Sequence, residues 1–355
     1  MPSSRFAFLR TLLDTPAPSG FELPAARAWR AEAGRFADEV RADAVGNSFA
    51  TVNPAGRPAL MFAGHADEIG LIVVHVDEKG FAWFEPVGGW DTQVFVGQRV
   101  TLLGRDGPVP GVIGKKAIHL MEKEEREKVS KAHELWIDIG ASDREEALRR
   151  VRVGDPGVLG AASLEFPNGR LVSRSLDNRV GAWVVLEALR LLAADRPAAA
   201  VTAVATVQEE IAYTGGGARA SASGLAPAAA VVVDVTHAID TPGLEPKRHG
   251  EAKLGGGPVL ARGSVISPVV FDKLVEAAEA EGIPYGVQAA ALATHTDADG
   301  VVNAARGVAT GLVSVPLRYM HSPNEMVALA DLEAAARLLA AFARRVAPGE
   351  DFVAG

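Results

Sequence analysis

The sequence contains no cysteine. Disulfide cross-links and thiolate metal ligands are therefore both excluded, and any metal must be held by His, Asp and Glu. Long apolar runs are also missing. No stretch approaches the roughly 18 residues of a membrane span, and the first residues lack the charged start and unbroken apolar core of a signal peptide. Positive charge is in deficit, with a formal net charge of −8 and a pI of about 5.6. Neither nucleic-acid phosphate nor anionic lipid would be attracted, so no nucleic-acid or membrane partner is expected. Lysine is scarce beside alanine and arginine, which reads as composition bias without functional content. The expected compartment is the cytoplasm.

What is present suits a globular protein, with 48% hydrophobic and 23% charged residues. At 355 residues the chain exceeds the roughly 250–300 at which a single core stops growing, so two domains are expected. The first forty residues read as two helices, Arg5 to Leu13 and Glu22 to Val40, followed by strands over Arg41 to Val52, with a turn near Gly46-Asn47, and over Ala59 to His65. After Asp67 the texture changes. Short strand-like runs follow at turn spacing (Gly70 to Val76, Phe81 to Pro86, Arg99 to Leu103, Gly111 to Ile113, Leu135 to Ile139), the pattern of a small β domain inserted into an α/β host. Met121 to His133 reads as a solvated helix or loop and Arg144 to Val151 as a short helix. From Asp177 helices and strands alternate again, ending in a helix over Ala330 to Val346. The expected division is a discontinuous host, 1–67 and 164–355, around an insert, 68–163.

Chemistry concentrates where apolar runs stop. Ala203 to Val207 ends at Gln208-Glu209-Glu210, Leu60 to Gly64 at His65, Ala230 to Val233 at Asp234, and Leu312 to Met320 at His321. Asp177 opens a segment of helical spacing. Strand ends at one sheet edge are where α/β folds build sites, and adjacent glutamates on extended backbone can face different partners. His65, Asp177, Glu210, Asp234 and His321 are thus candidate ligands, two imidazoles and three carboxylates, able to hold two divalent ions that share one carboxylate. Glu209 is then free to serve as general base and acid. Asp67, two residues past His65, can orient its ring.

The segments Gly64-His-Ala-Asp-Glu-Ile-Gly70, Leu176-Asp-Asn-Arg179, Gln208-Glu-Glu210, Val233-Asp234 and Arg318-Tyr-Met-His-Ser-Pro-Asn-Glu-Met326 together resemble the M42 family of metallo-aminopeptidases over nearly the whole chain. The resemblance implies a zinc-peptidase-like α/β/α sandwich with an inserted small β-barrel dimerisation domain. It implies two divalent ions, zinc or cobalt with manganese as a further option. Asp177 would bridge them, with His65 and Asp234 on one, Glu210 and His321 on the other, Glu209 as base and Asp67 orienting His65. It further implies N-terminal cleavage of short peptides by metal-activated water, and self-association into dimers and twelve-subunit shells. Some members carry the name endoglucanase.

Where the family has a Gly-Thr-Asp-Ala segment, this chain has Ala293-Thr-His-Thr-Asp-Ala298, and His295 reads as a loop histidine, with a pocket role as the alternative. Gly215-Gly-Gly217 lacks a P-loop lysine and needs no phosphate. His75, His119, His133, His237 and His249 are read as surface or core residues. The rival functions are another dinuclear amidohydrolase (a deacylase or carboxypeptidase), a two-carboxylate glycoside hydrolase, and a non-catalytic assembly protein.

Overall fold

The computed structural model describes residues 6–212 and 216–353. The chain opens with helices α1 (Ala7–Asp14) and α2 (Leu23–Ala33), then strands β1 (Glu39–Ala42), β2 (Ser48–Val52) and β3 (Ala59–His65). The expected start of the first helix, Arg5, lies outside the described residues, as do Tyr213 to Gly215. The second helix is shorter than its spacing suggested. It stops at Gly34, where the backbone N–H groups of Phe36 and Ala37 turn back onto Ala33, and Glu39 to Ala42 pairs with β2 as a strand.

A six-stranded closed barrel follows, made of β4 (Gly70–Val76), β5 (Ala82–Val87), β6 (Arg99–Gly104), β7 (Gly107–Gly114), β8 (Trp136–Asp138) and β9 (Pro156–Leu159) in the order β4-β5-β8-β7-β6-β9. Closure leaves no unpaired edge. The barrel has its own core around Leu71, Phe84, Phe95, Leu102 and Ile137. The Gly111 to Ile113 run is the end of a longer strand, and β9 left no mark in the sequence because its Pro-Gly start breaks the strand pattern. Between β7 and β8 the exposed charged segment carries one short helix, α3 (Lys123–Arg126), and between β8 and β9 lies α4 (Arg144–Arg150).

Strands β10 (Leu164–Phe166) and β11 (Arg170–Ser173) return the chain to the large sheet, followed by α5 (Leu176–Ala194), β12 (Ala200–Thr206), α6 (Gly216–Leu225), β13 (Ala229–His237), α7 (Pro246–His249), β14 (Val259–Arg262), α8 (Pro268–Ala280), β15 (Gly286–Ala289), α9 (Asp297–Val302), β16 (Ala309–Arg318), β17 (Glu325–Ala328) and α10 (Leu329–Arg345). The centre of this sheet, β12-β3-β13-β16, is parallel. Its strands are buried almost throughout, which is why they read as unbroken apolar runs. Helix α5 packs over β3, β12 and β13 and against α10. Each fully buried Val or Leu it contributes is worth about 1.5–3 kcal/mol. The helix can approach β3 closely because two glycines meet there: a Cβ on Gly64 would lie 2.5 Å from the carbonyl carbon of Gly181. That contact fixes the distance between the end of β3 and the start of α5, and with it the spacing of His65 and Asp177.

Candidate metal centre

The candidate residues converge at the C-terminal end of the parallel strands. His65 is the last residue of β3. Glu209 and Glu210 sit in the turn after β12, and His321 in the turn after β16. Asp177 lies in the first turn of α5, where its backbone and that of Asn178 depart from helical geometry. Asp234 differs from its sequence reading, since β13 runs through it to His237 and its side chain rises from within the strand.

Asp177 stands at the middle. Its Oδ1 is 3.3 Å from His65 Nε2 and its Oδ2 is 3.5 Å from His321 Nε2. Asp234 Oδ1 lies 3.9 Å from His65 Nε2, and Glu210 Oε2 lies 3.3 Å from His321 Nε2. Two donor groups therefore share Asp177: His65, Asp177 and Asp234 on one side, Asp177, Glu210 and His321 on the other, each with one atom per residue within 4.8 Å of the others. Glu209 Oε2 is 3.8 Å from His65 Nε2.

This donor set fits divalent cations. It combines imidazole nitrogen with carboxylate oxygen and lacks sulfur, as zinc, cobalt and manganese accept. Oε1 of Glu210 is buried with no hydrogen-bond partner, an atom left for something else to satisfy. The electrostatics point the same way. Burial, with Asp234, Asp297 and Glu210 adding their repulsion against the pull of His65, pushes Glu209 up to about 10. Burial likewise raises Glu210 and Asp234. For His321 burial works downward, but hydrogen bonds donated to Asp177 and Glu210 outweigh it and carry the ring up to about 11. His65 is raised in the same way by Asp177 and Asp67 against its burial. Carboxylates that hold protons and imidazoles that gain them describe a buried acidic cluster short of positive charge.

The turn bearing the two glutamates is held by side chains that capture four consecutive backbone N–H groups. Val207 donates to Asn47 Oδ1 at 3.2 Å, Gln208 to Glu22 Oε1 at 3.1 Å, and Glu209 and Glu210 to the two oxygens of Asp67, each at 3.2 Å. Asp67 Oδ1 also faces His65 Nδ1 at 3.3 Å, and Ser19 donates its hydroxyl to Oδ2. Glu325 plays the corresponding part on the other side. It is 2% exposed, and its Oε2 accepts the backbone N–H of Asp177 at 3.0 Å while its Oε1 accepts that of His321 at 2.9 Å. Asn178 anchors the start of α5, donating to the carbonyl of Val233 at 2.8 Å. Of these supports the sequence singled out Asp67 alone. Glu325 and Asn178 were visible only as parts of motifs, while Ser19, Glu22 and Asn47 carried no role.

Two clefts open onto the cluster. One runs past Asp177, Glu209 and Asp234 along the ends of β13, β14 and β15. The other passes between Glu210, Arg219, Asp299 and the barrel segment at Gly88-Gly89. The barrel reaches the centre there, since a Cβ on Gly89 would lie 3.2 Å from His321 Nδ1. His295 lies exposed in the loop after β15, adjoins both clefts, and its backbone N–H donates to Asp299. His237 is exposed at the mouth of the first. A separate groove between α1, α2 and α5 has its charges paired off, Arg35 with Glu32 and Arg190 with Glu187. No helix among the described residues is long and apolar enough to cross a membrane.

The model of the family described as M42 glutamyl aminopeptidase matches residues 46–338. The lysyl aminopeptidase of Pyrococcus furiosus is 31% identical, covering 96% of this chain and 97% of its own length. The structure superimposes on the TET aminopeptidase of a marine sediment archaeon of the Thaumarchaeota with a TM-score of 0.91, 32% identity and 96% of each chain covered. It matches the TET1 peptidase of Pyrococcus horikoshii, described as assembling into a tetrahedron or a large octahedral shell, with a TM-score of 0.86, 30% identity, and 97% of this chain and 100% of that one covered.

Proposed function

Because the chain belongs to the M42 peptidase family, we propose that this aminopeptidase-family hydrolase is a dinuclear metal-dependent enzyme that releases N-terminal residues from short peptides. The observation that carries the reading is the pair of donor groups sharing Asp177; Glu209, which also groups with His65 and Glu210, stands beside them. His65 and Asp234 would hold one ion, Glu210 and His321 the other, and Asp177 both. Zinc or cobalt suits the set best, with manganese also accepted. Such ions supply Lewis acidity that polarises a substrate carbonyl and acidifies a water.

The chain's own residues do the rest. The Glu209 carboxylate takes the proton from the attacking water and delivers it to the departing amine. Asp67 fixes His65 through Nδ1 and fixes Glu209 through its backbone, so one carboxylate sets the distance between a ligand and the base. Residues 68–163, which contain the barrel, form a dimerisation unit inserted between 1–67 and 164–355, and the protein builds dimer-based assemblies. The shells described for the Pyrococcus horikoshii relative support this.

The test is hydrolysis of unblocked and N-acetylated short peptides by metal-loaded and chelator-treated protein. Cleavage of the unblocked peptides alone, lost with chelator and regained with metal, is expected. Cleavage of acetylated peptides, or activity indifferent to chelator, would overturn the reading.

A further inference from the structure

Family membership leaves the side chain of the released residue open: the family model is described by glutamyl activity and the Pyrococcus furiosus relative by lysyl activity. Resting on the aminopeptidase reading, we propose that this site takes N-terminal residues with neutral, apolar side chains. The first cleft, the smaller and more enclosed of the two, is walled by Ala261, Ala290, Ala291, Leu312 and Met320. Thr236 and Gln288, the polar groups beside these alanines, are already engaged. Thr236 Oγ1 donates to Gln288 Oε1 at 2.9 Å, and Gln288 Nε2 donates to the carbonyl of His249 at 3.3 Å. His237 stands exposed at the mouth of the cleft, its ring lowered from its ordinary pKa by partial desolvation. Among the described residues of this wall, the carboxylates are Asp177, Glu209, Glu210 and Asp234, each already part of the candidate donor set or the candidate base.

A lysine or glutamate side chain entering here would lose its water and find no free counter-charge, a cost that hydrophobic burial does not offset. A leucine or methionine would bury methylenes against alanine and Met320. The second cleft is polar, with Arg219, Asp299 and Asn303, and suits the remainder of the peptide, whose backbone needs hydrogen-bonding partners. An aminopeptidase has one residue on the N-terminal side of the cut bond, which matches one short enclosed cleft and one open one.

The experiment is kcat/KM of the metal-loaded protein on aminoacyl p-nitroanilides of leucine, methionine, lysine and glutamate, with N-acetyl-leucine p-nitroanilide as control. Leucine and methionine should exceed lysine and glutamate by at least about tenfold. Lysine or glutamate equal to or faster than leucine, with the acetylated control inert, would overturn this inference and leave the aminopeptidase reading standing. Hydrolysis of the acetylated substrate, or of none, would overturn that reading and the inference with it. Ala291 is exposed, so Ala291→Asp should fold as the parent does. It should raise the lysine-to-leucine ratio by about fivefold or more, and an unchanged ratio would show that the side chain does not lie against this wall.

Discussion

Asp67 joins His65 to Glu209: its Oδ1 lies 3.3 Å from His65 Nδ1 and accepts the backbone N–H of Glu209 at 3.2 Å. Its other oxygen holds the N–H of Glu210. Asp67→Ala therefore strands two half-buried backbone donors, each at a cost of up to about 1–3 kcal/mol, and frees the imidazole to turn. Thermal denaturation should report the loss of stability, and metal competition a 10–100-fold weaker site, as is typical when the orienting partner of a ligand is removed. Unchanged affinity would mean that Asp67 is only a structural brace.

Glu325 binds the N–H groups of Asp177 and His321 with separate oxygens. Glu325→Gln keeps the shape but replaces one acceptor by an amide NH₂ that opposes a donor. Metal affinity should fall about 10–100-fold, with both ions affected because Asp177 is common to both donor groups. Competition titration with a chromophoric chelator measures this. Full affinity in the variant would remove Glu325 from the account.

The metal-free protein should lose stability as pH rises. Glu209, Glu210, Asp234 and Glu325 are all raised, chiefly by burial, and His65 and His321 are raised by the carboxylates around them. Above about pH 4.5 the unfolded chain releases carboxyl protons that the folded, metal-free cluster retains, and above about 6.5 the histidines follow. The folded state then binds more protons, so stability is fully present at low pH and drains away towards about pH 10. Asp67 and Asp177 are lowered and act in the opposite sense, but only below about pH 4. Melting temperature across about pH 5–9 should fall without metal and flatten with it. A metal-free melting temperature that rises over this range would contradict the charge picture.

Gly64→Ala tests the approach of β3 to α5. The added methyl would press on the backbone of Gly181 at 2.5 Å and of Ala182 at 2.8 Å, and overpacking of this kind costs about 1–3 kcal/mol. Because the same contact spaces His65 from Asp177, metal affinity should drop together with melting temperature. Loss of stability alone would show that the site tolerates the displacement.

The parts legible in the sequence were those marked by residue type. Buried parallel strands appear as unbroken apolar runs, so the ends of β3, β12 and β16, with His65, Glu209, Glu210 and His321, could be read directly. The change to short strands after Asp67 corresponds to the barrel β4 to β9. Asp234 was found although its strand continues past it, because the run of valines makes a carboxylate conspicuous. The supports were not legible. Asn47, Glu22 and Glu325 accept backbone N–H groups from residues 148 to 186 positions away, or 160 for Asn47. Backbone donors are common to nearly every residue, so nothing in the sequence marks which ones a distant carboxylate will meet. The end of α2 was missed for a related reason: its helical spacing ran on, while pairing with β2 claimed Glu39 to Ala42.

The central claim is that Asp177 joins two metal sites beside an independent base, Glu209. The most direct measurement is metal content per subunit together with turnover of an unblocked peptide, for the parent protein and Glu209→Gln side by side. The account predicts two ions in both proteins and a turnover about 10²–10⁴-fold lower in the variant, since the amide keeps the shape but carries no proton. Parental turnover in the variant, or loss of an ion with the substitution, would contradict it.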